Sequence, residues 1–173
     1  GPASNRRVYC SSLLGNRITA LNPAPFNVLA TAEVDSPGAL VLTPDARTLL
    51  AVQTTTSHIL TFRTRTMSQG PRIVEVGGSD IQQLLISADG TELWTVNGSG
   101  NLSVLGLDNR KLRSTVELNA KPTAACWRAV GSEMELWVAV RSPNQVLVVN
   151  PASRTISKRI PVGAPPADIW MVQ

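Results

Sequence analysis

The decisive stretch of the sequence is Glu135-Leu136-Trp137-Val138-Ala139. Its pattern recurs in three earlier stretches, at residues 7–11, 48–52 and 92–96. The residues at the centres of the four stretches are Tyr9, Leu50, Trp94 and Trp137, so the steps between them are 41, 44 and 43 residues. Short runs of this kind, rich in β-branched and aromatic residues and bounded by Gly, Pro, Asn and Asp, predict β-strands. A strand repeated four times at a nearly constant step predicts a repeat architecture.

Each repeat contains three further strands. The second strand follows a polar turn and carries the apolar pairs Ile18/Leu21, Ile59/Phe62, Leu102/Leu105 and Val146/Val149. The third strand ends at Val34, Val76, Leu118 and Val162. The fourth strand is apolar in almost every position, at residues 39–42, 84–86, 124–127 and 169–172. The sequence therefore predicts an all-β fold built from four repeats of four antiparallel strands.

A sheet whose fourth strand is apolar on both faces cannot bury both faces alone. Stacking such sheets radially around an axis covers both faces and leaves only short strand edges exposed. The pattern thus predicts a β-propeller, with the fourth strand of each repeat at the centre. The third strand, in which Arg113, Glu117, Lys158 and Arg159 alternate with apolar residues, is expected at the rim.

The stretch Val146-Leu147-Val148-Val149-Asn150-Pro151, followed by Thr155-Ile156 and Ile160-Pro161-Val162-Gly163, resembles the repeat of YVTN and WD40-like propellers. The resemblance covers residues 7–172 and implies a propeller that serves as a binding platform or scaffold rather than as an enzyme. The Gly-His and Trp-Asp pairs of WD40 repeats are missing, so their hydrogen-bond network is not carried over.

Gly1-Pro2-Ala3-Ser4 resembles the remnant of a cleaved expression tag, which leaves residues 5–173 as the propeller domain. The order of strands begins with the first strand of one repeat and ends with a lone fourth strand at residues 168–172. We expect this last strand to complete the sheet begun by residues 8–34. It can do so within one chain, as a four-bladed ring, or between two chains, as an eight-bladed homodimer. A third alternative is a segment cut from a longer propeller. The size of the blades favours a dimeric or larger ring.

The charge and the cysteine content of the chain exclude few classes of function. Sixteen Lys and Arg against twelve Asp and Glu give a net charge of +4, but the basic residues are scattered. This does not favour nucleic acid as a partner, although binding to an anionic polymer through the arginines stays an alternative. Cys10 and Cys126 allow one disulfide or two free thiols, and so low a count fits a reducing, cytoplasmic location. No apolar stretch approaches the roughly 18 residues that a membrane span needs.

The sequence contains no convincing catalytic constellation. His58 is the only histidine, and a general base needs a carboxylate or nucleophile beside it. Metal binding needs several ligands, whereas one His and two distant Cys are too few. Asp35 and Asp80 occupy equivalent loops, but Lys121 and Pro165 break the ring of carboxylates. We predict a non-catalytic protein without cofactor or metal; the alternative is a propeller that binds a small ligand or metal at its channel mouth, as an enzyme or sensor.

The remaining candidate is a partner-binding surface. The turns between first and second strands, and the loops after third strands, are expected to converge on one face of the propeller. From these turns and loops we predict five residues that contact a protein or peptide partner: His58, Asp80, Asn97, Lys121 and Arg141. Lys121 and Arg141 are the leading cations in this set, since arginine is enriched at the centres of interfaces.

Overall fold

The computed structural model describes residues 6–171, so the predicted tag remnant at residues 1–4 lies outside the described residues. These residues form four antiparallel sheets of three, three, four and four strands, which confirms the all-β prediction. The strands are β1 (Val8–Ser12), β2 (Arg17–Asn22), β3 (Asn27–Glu33), β4 (Pro37–Leu42), β5 (Thr48–Gln53), β6 (His58–Arg63), β7 (Ile81–Ile86), β8 (Glu92–Asn97), β9 (Asn101–Gly106), β10 (Leu112–Glu117), β11 (Lys121–Val130), β12 (Glu133–Arg141), β13 (Gln145–Asn150) and β14 (Thr155–Pro161). No helix within residues 6–171 has the length and apolar character to cross a membrane.

The chain divides into two compact units, one up to residue 75 and one from residue 76. The first unit holds the sheets β1-β2-β3 and β4-β5-β6, which pack face to face. The buried side chains between these two sheets are Ile18, Ala20, Val34, Leu49, Ala51, Leu60, Phe62 and Met67. The Tyr9 hydroxyl also donates a hydrogen bond to the Thr64 carbonyl (3.0 Å), which ties β1 to the end of β6.

The second unit holds the sheets β10-β9-β8-β7 and β11-β12-β13-β14, again packed face to face. A row of four apolar side chains, Trp127, Leu136, Val149 and Ile156, crosses the second of these sheets as successive Cα partners. The row packs against Trp94 of β8, whose ring meets that of Trp127 edge to face at 5.7 Å. Burying side chains of this size stabilises the fold by about 1.5–3 kcal/mol each.

Two of the tight turns into first strands use the same hydrogen bonds. The Thr43 hydroxyl donates to the Asp45 carboxylate (2.6 Å), and the Ser87 hydroxyl donates to the Asp89 carboxylate. The backbone N–H of Arg47 and that of Thr91 then donate to the same two carboxylates. The hydroxyl hydrogen bond is the largest cause of a lowered pKa at both Asp45 and Asp89. These Asx turns set where β5 and β8 begin.

The predicted third strand of the second repeat is wrong. The segment that follows β6 makes only two isolated bridges to it, Ile59 with Ile73 and Phe62 with Gln69. Pro71 has no N–H to donate to a neighbouring strand. Its carbonyl accepts a hydrogen bond from the Thr61 hydroxyl (2.7 Å) rather than from a backbone N–H. The sheet β4-β5-β6 therefore has three strands.

The predicted lone fourth strand at residues 168–172 is also not found in the structure. Residues 162–171 form no strand, Val172 lies outside the described residues, and the sheet β1-β2-β3 has three strands. Asp168 accepts hydrogen bonds locally, from the Ile169 N–H (2.8 Å) and the Trp170 indole (2.9 Å). A strand needs a neighbouring strand for its backbone groups, and this segment has none in the described chain. The predicted closure of a ring by this strand is thus not observed.

Candidate functional site

The turns and loops predicted to carry the partner surface do converge within each unit. The loop after a third strand donates to the turn between first and second strands three times: Val34 N–H to Asn16 O (2.9 Å), Leu118 N–H to Gly100 O (3.0 Å) and Val162 N–H to Asn144 O (3.0 Å). In the second unit this edge consists of Asp80 and of residues 97–101, 119–121 and 141–144. We call it the second-unit loop edge.

Two of the predicted cations are direct neighbours on this edge. Lys121 is the first residue of β11, Arg141 is the last residue of β12, and the two are Cα partners across the ladder. Both side chains are exposed. The Arg141 Nε donates to the Pro166 carbonyl (3.2 Å), which holds the guanidinium in place. Within residues 6–171, neither cation forms an ion pair.

Asp80 lies on the same edge and is exposed. Its backbone carbonyl accepts the Gly98 N–H (2.7 Å), and its carboxylate accepts the Gln82 side-chain amide (2.7 Å). A side chain at position 98 would overlap the Asp80 carboxylate, so a substitution there would require the Asp80 side chain to move. Asp80 therefore holds the turn at Gly98 through its backbone and leaves its carboxylate at the surface.

Asn97 is placed differently from the prediction. Its side chain is completely buried, with Nδ2 donating to Asn101 Oδ1 (3.0 Å) and to Ser103 Oγ (2.8 Å). Asn101 in turn donates to the Gly77 carbonyl (2.8 Å). This network fastens the turn to its sheet, so Asn97 supports the loop edge from inside rather than presenting a contact to a partner.

His58 lies in the other unit and begins β6, opposite Gln53 of β5. The prediction placed it in the turn before this strand. Its side chain is half-buried, and its Nδ1 atom is buried without a hydrogen-bond partner in the described structure. Within residues 6–171, no nucleophile or carboxylate is hydrogen-bonded to its imidazole ring.

A second feature, which the sequence did not single out, lies at the opposite ends of the strands. A cleft of about 450 Å³ is lined by residues that include Glu92, Trp127, Met134 and Arg154. Glu92 Oε1 accepts hydrogen bonds from Arg154 (2.9 Å) and Arg113 (3.3 Å), so two guanidinium groups balance the negative charge of the carboxylate. The Trp127 indole N–H is buried and has no partner within the described residues. The signal for Glu92 was present in the sequence as Glu-Leu-Trp, at 92–94 and again at 135–137.

The two cysteines are free in the structure. Burial raises the pKa of the Cys126 thiol, and the nearby Asp168 carboxylate adds to the effect. A raised pKa lowers the thiolate fraction at neutral pH, so Cys126 has no feature of an activated nucleophile. Residues 6–171 contain no group of three or more His, Cys, Asp and Glu side chains placed to hold a metal ion.

Comparison with known proteins gives the fold alone. No family model matches the chain, and no curated protein matches it. Among solved structures, it is similar to "Kuenenia stuttgartiensis Hydrazine Synthase", with a TM-score of 0.81 and 14% sequence identity. The match covers 92% of this chain and 47% of the other, so this chain spans about half of that chain's length. The predicted resemblance to YVTN and WD40-like repeats stays a prediction.

Proposed function

We propose that this chain is a non-catalytic, β-propeller-like binding module, and that its second-unit loop edge binds an acidic segment of a protein partner. The blade arrangement is supported by the recurrence of the sheets at 41–44 residues and by the face-to-face packing within each unit. The likeness to a solved chain of a protein that contains a β-propeller supports it further. A scaffolding role within a larger protein is part of the same proposal and rests on fold-level analogy alone.

The observation that carries the partner proposal is the pairing of Lys121 with Arg141. Like charges directly opposite on neighbouring strands destabilise a sheet. Within residues 6–171, no carboxylate forms an ion pair with either cation. An acidic partner gains from both cations at once, because a guanidinium can bind a carboxylate through two parallel hydrogen bonds. The Arg141 Nε is occupied by Pro166, so its two terminal nitrogens are the donors available to a partner.

Asp80 and the buried Asn97 take different parts in this proposal. Asp80 carries a negative charge at the border of the edge. It repels partners whose own negative charge extends that far, which adds specificity. Asn97 preserves the shape of the turn. His58 belongs to the first unit, and it stays a candidate for contact with a partner at the loops of that unit.

The test uses a short poly-glutamate peptide as the probe, with binding measured by fluorescence anisotropy. Replacing Lys121→Glu and Arg141→Glu together should weaken binding at least tenfold, which corresponds to about 1.4 kcal/mol. Lys111→Glu is the matched control, since Lys111 is exposed and lies at the opposite end of its strands. An equal loss per reversed charge in the control, or no loss in the double variant, would contradict the proposal.

Heparin distinguishes an acidic protein segment from a general anionic polymer. If the arginines acted as a diffuse basic surface, heparin binding would fall by the same factor per reversed charge in the Lys111→Glu variant and in the double variant. It would also weaken steeply with salt in both. A specific loop edge instead predicts that the double variant loses poly-glutamate binding while the control retains it.

A further inference from the structure

An exposed apolar row crosses the sheet β1-β2-β3. Val8, Leu21 and Val28 are successive Cα partners, and they lie on the face opposite to the core residues Ile18 and Ala20. Val8 is 49% exposed and Val28 is 58% exposed. Three aligned apolar side chains form a contiguous patch rather than scattered surface residues, and such a patch marks an interaction site.

The same row exists in the sheet β11-β12-β13-β14, where it is covered. Val8, Leu21 and Val28 occupy the repeat positions of Leu136, Val149 and Ile156, because Tyr9 corresponds to Trp137. Leu136 and Val149 are completely buried under the neighbouring sheet. The covered row has one more member, Trp127 on the inner strand β11. The row in the first sheet lacks that member.

The missing member is present in the chain. Trp170 follows Trp127 by the repeat step of 43 residues, and it is 82% exposed in a segment without strand structure. β1 is an edge strand whose one neighbour is β2, so its other edge offers unpaired backbone groups. If the register of β11 on β12 is transferred, Trp170 falls opposite Val8 and Asp168 falls opposite Cys10.

We propose that residues 168–171 of a second copy of this chain add to the free edge of β1 as a fourth strand, with Trp170 completing the row Val8–Leu21–Val28. The sheet β11-β12-β13-β14 of that copy then covers the row, with Trp137 against Trp170 as Trp94 lies against Trp127. A two-fold axis makes two identical joints, so the association closes at a dimer.

A second copy fits better than closure within one chain. In the described chain, β1 has no strand on its free edge, and residues 162–171 form no strand. The match to a longer solved chain also covers 47% of that chain, so two copies of this chain have about its length. This inference rests on the blade arrangement proposed above and does not depend on binding by the loop edge.

The mass in solution, measured by light scattering after size exclusion, is the first test. We expect about twice the chain mass of 18.5 kDa. Val8→Asp and Trp170→Asp should each give the single-chain mass, whereas Leu14→Asp should leave the dimer intact. Leu14 is the matched control because it is 96% exposed and lies outside the row. A mixture of the two disrupted variants should recover a dimer, since one of its two joints is unaltered. A single-chain mass for the unaltered protein would overturn the proposal.

Disulfide trapping distinguishes a second copy from self-closure. Asp168→Cys is combined with Cys126→Ser, because Cys126 lies beside Asp168, and native Cys10 is the intended partner. Antiparallel partners lie close enough for a disulfide. Oxidation should give a covalent dimer on a non-reducing gel, which Cys10→Ser abolishes. A link within one chain would support the blades and overturn the second copy. No link in either form would overturn the strand addition itself.

Discussion

The indole N–H of Trp94 donates a hydrogen bond to Glu92 Oε2 at 3.1 Å, two residues earlier on the same strand. Trp137 makes the same bond to Glu135 Oε2 at 2.8 Å, one repeat later. Each carboxylate also pairs with arginine: Glu92 with Arg113 and Arg154, and Glu135 with Arg128. A carboxylate at this position thus satisfies an indole that is buried in Trp94 and half-buried in Trp137, and it joins the strand to its surroundings.

The two carboxylates should differ in their contribution to stability. Glu92 is 16% exposed and holds two arginines, whereas Glu135 is 25% exposed and holds one. Glu92→Ala leaves the Trp94 indole without its acceptor and removes one of the two partners of Arg113 and of Arg154, and it should cost about 2 kcal/mol in the free energy of unfolding. Glu135→Ala should cost less than about 1 kcal/mol. Urea unfolding of both variants measures the difference, and an equal or reversed order would contradict this account.

Trp94 should be the most sensitive core position of the second unit. It is completely buried and packs edge to face on Trp127. Trp94→Ala creates a large cavity and should cost about 3–5 kcal/mol. Leu14→Ala is the control, because a 96% exposed side chain should contribute less than about 0.5 kcal/mol. A small loss at Trp94 would show that the two sheets do not pack as described.

The Asx turn at Asp89 should make stability depend on pH on the acid side. The pKa of Asp89 is lowered below its ordinary 3.8, mainly by the Ser87 hydroxyl. A lowered folded pKa gives stability that is present above the unfolded pKa and lost as the pH falls through the folded value. Asp89→Asn should therefore lower the urea midpoint at about pH 7 and have less effect at about pH 2.5. Adding Ser87→Ala to Asp89→Asn should cause little further loss if the two side chains act together.

The strands that could be predicted are those whose pattern repeats. The four first strands and four second strands were placed correctly because β-branched residues recur at 41–44 residues, with a large apolar or aromatic residue at the centre of each first strand. Two other strands were not, because pairing depends on what lies beside a segment. Pro71 removes a donor from the would-be strand after β6, and residues 168–171 have no adjacent strand in the described chain.

The candidate site could be predicted only in part. The repeat predicts that the turns converge. It does not predict the pairing register of β11 with β12, which places Lys121 directly beside Arg141. Asn97 was placed at the surface because asparagine is common in turns. Its burial arises from Asn101 and Ser103 on the facing strand β9, and these partners become visible only once the hairpin register is known.

Amide hydrogen exchange with and without the poly-glutamate peptide tests most directly whether the second-unit loop edge is the binding surface. The account predicts that the peptide slows exchange at the amides of residues 119–121, 141, 142 and 144, and that Lys121→Glu with Arg141→Glu removes this protection. Protection confined to the cleft around Glu92 and Trp127, or no protection at these six amides, would contradict it.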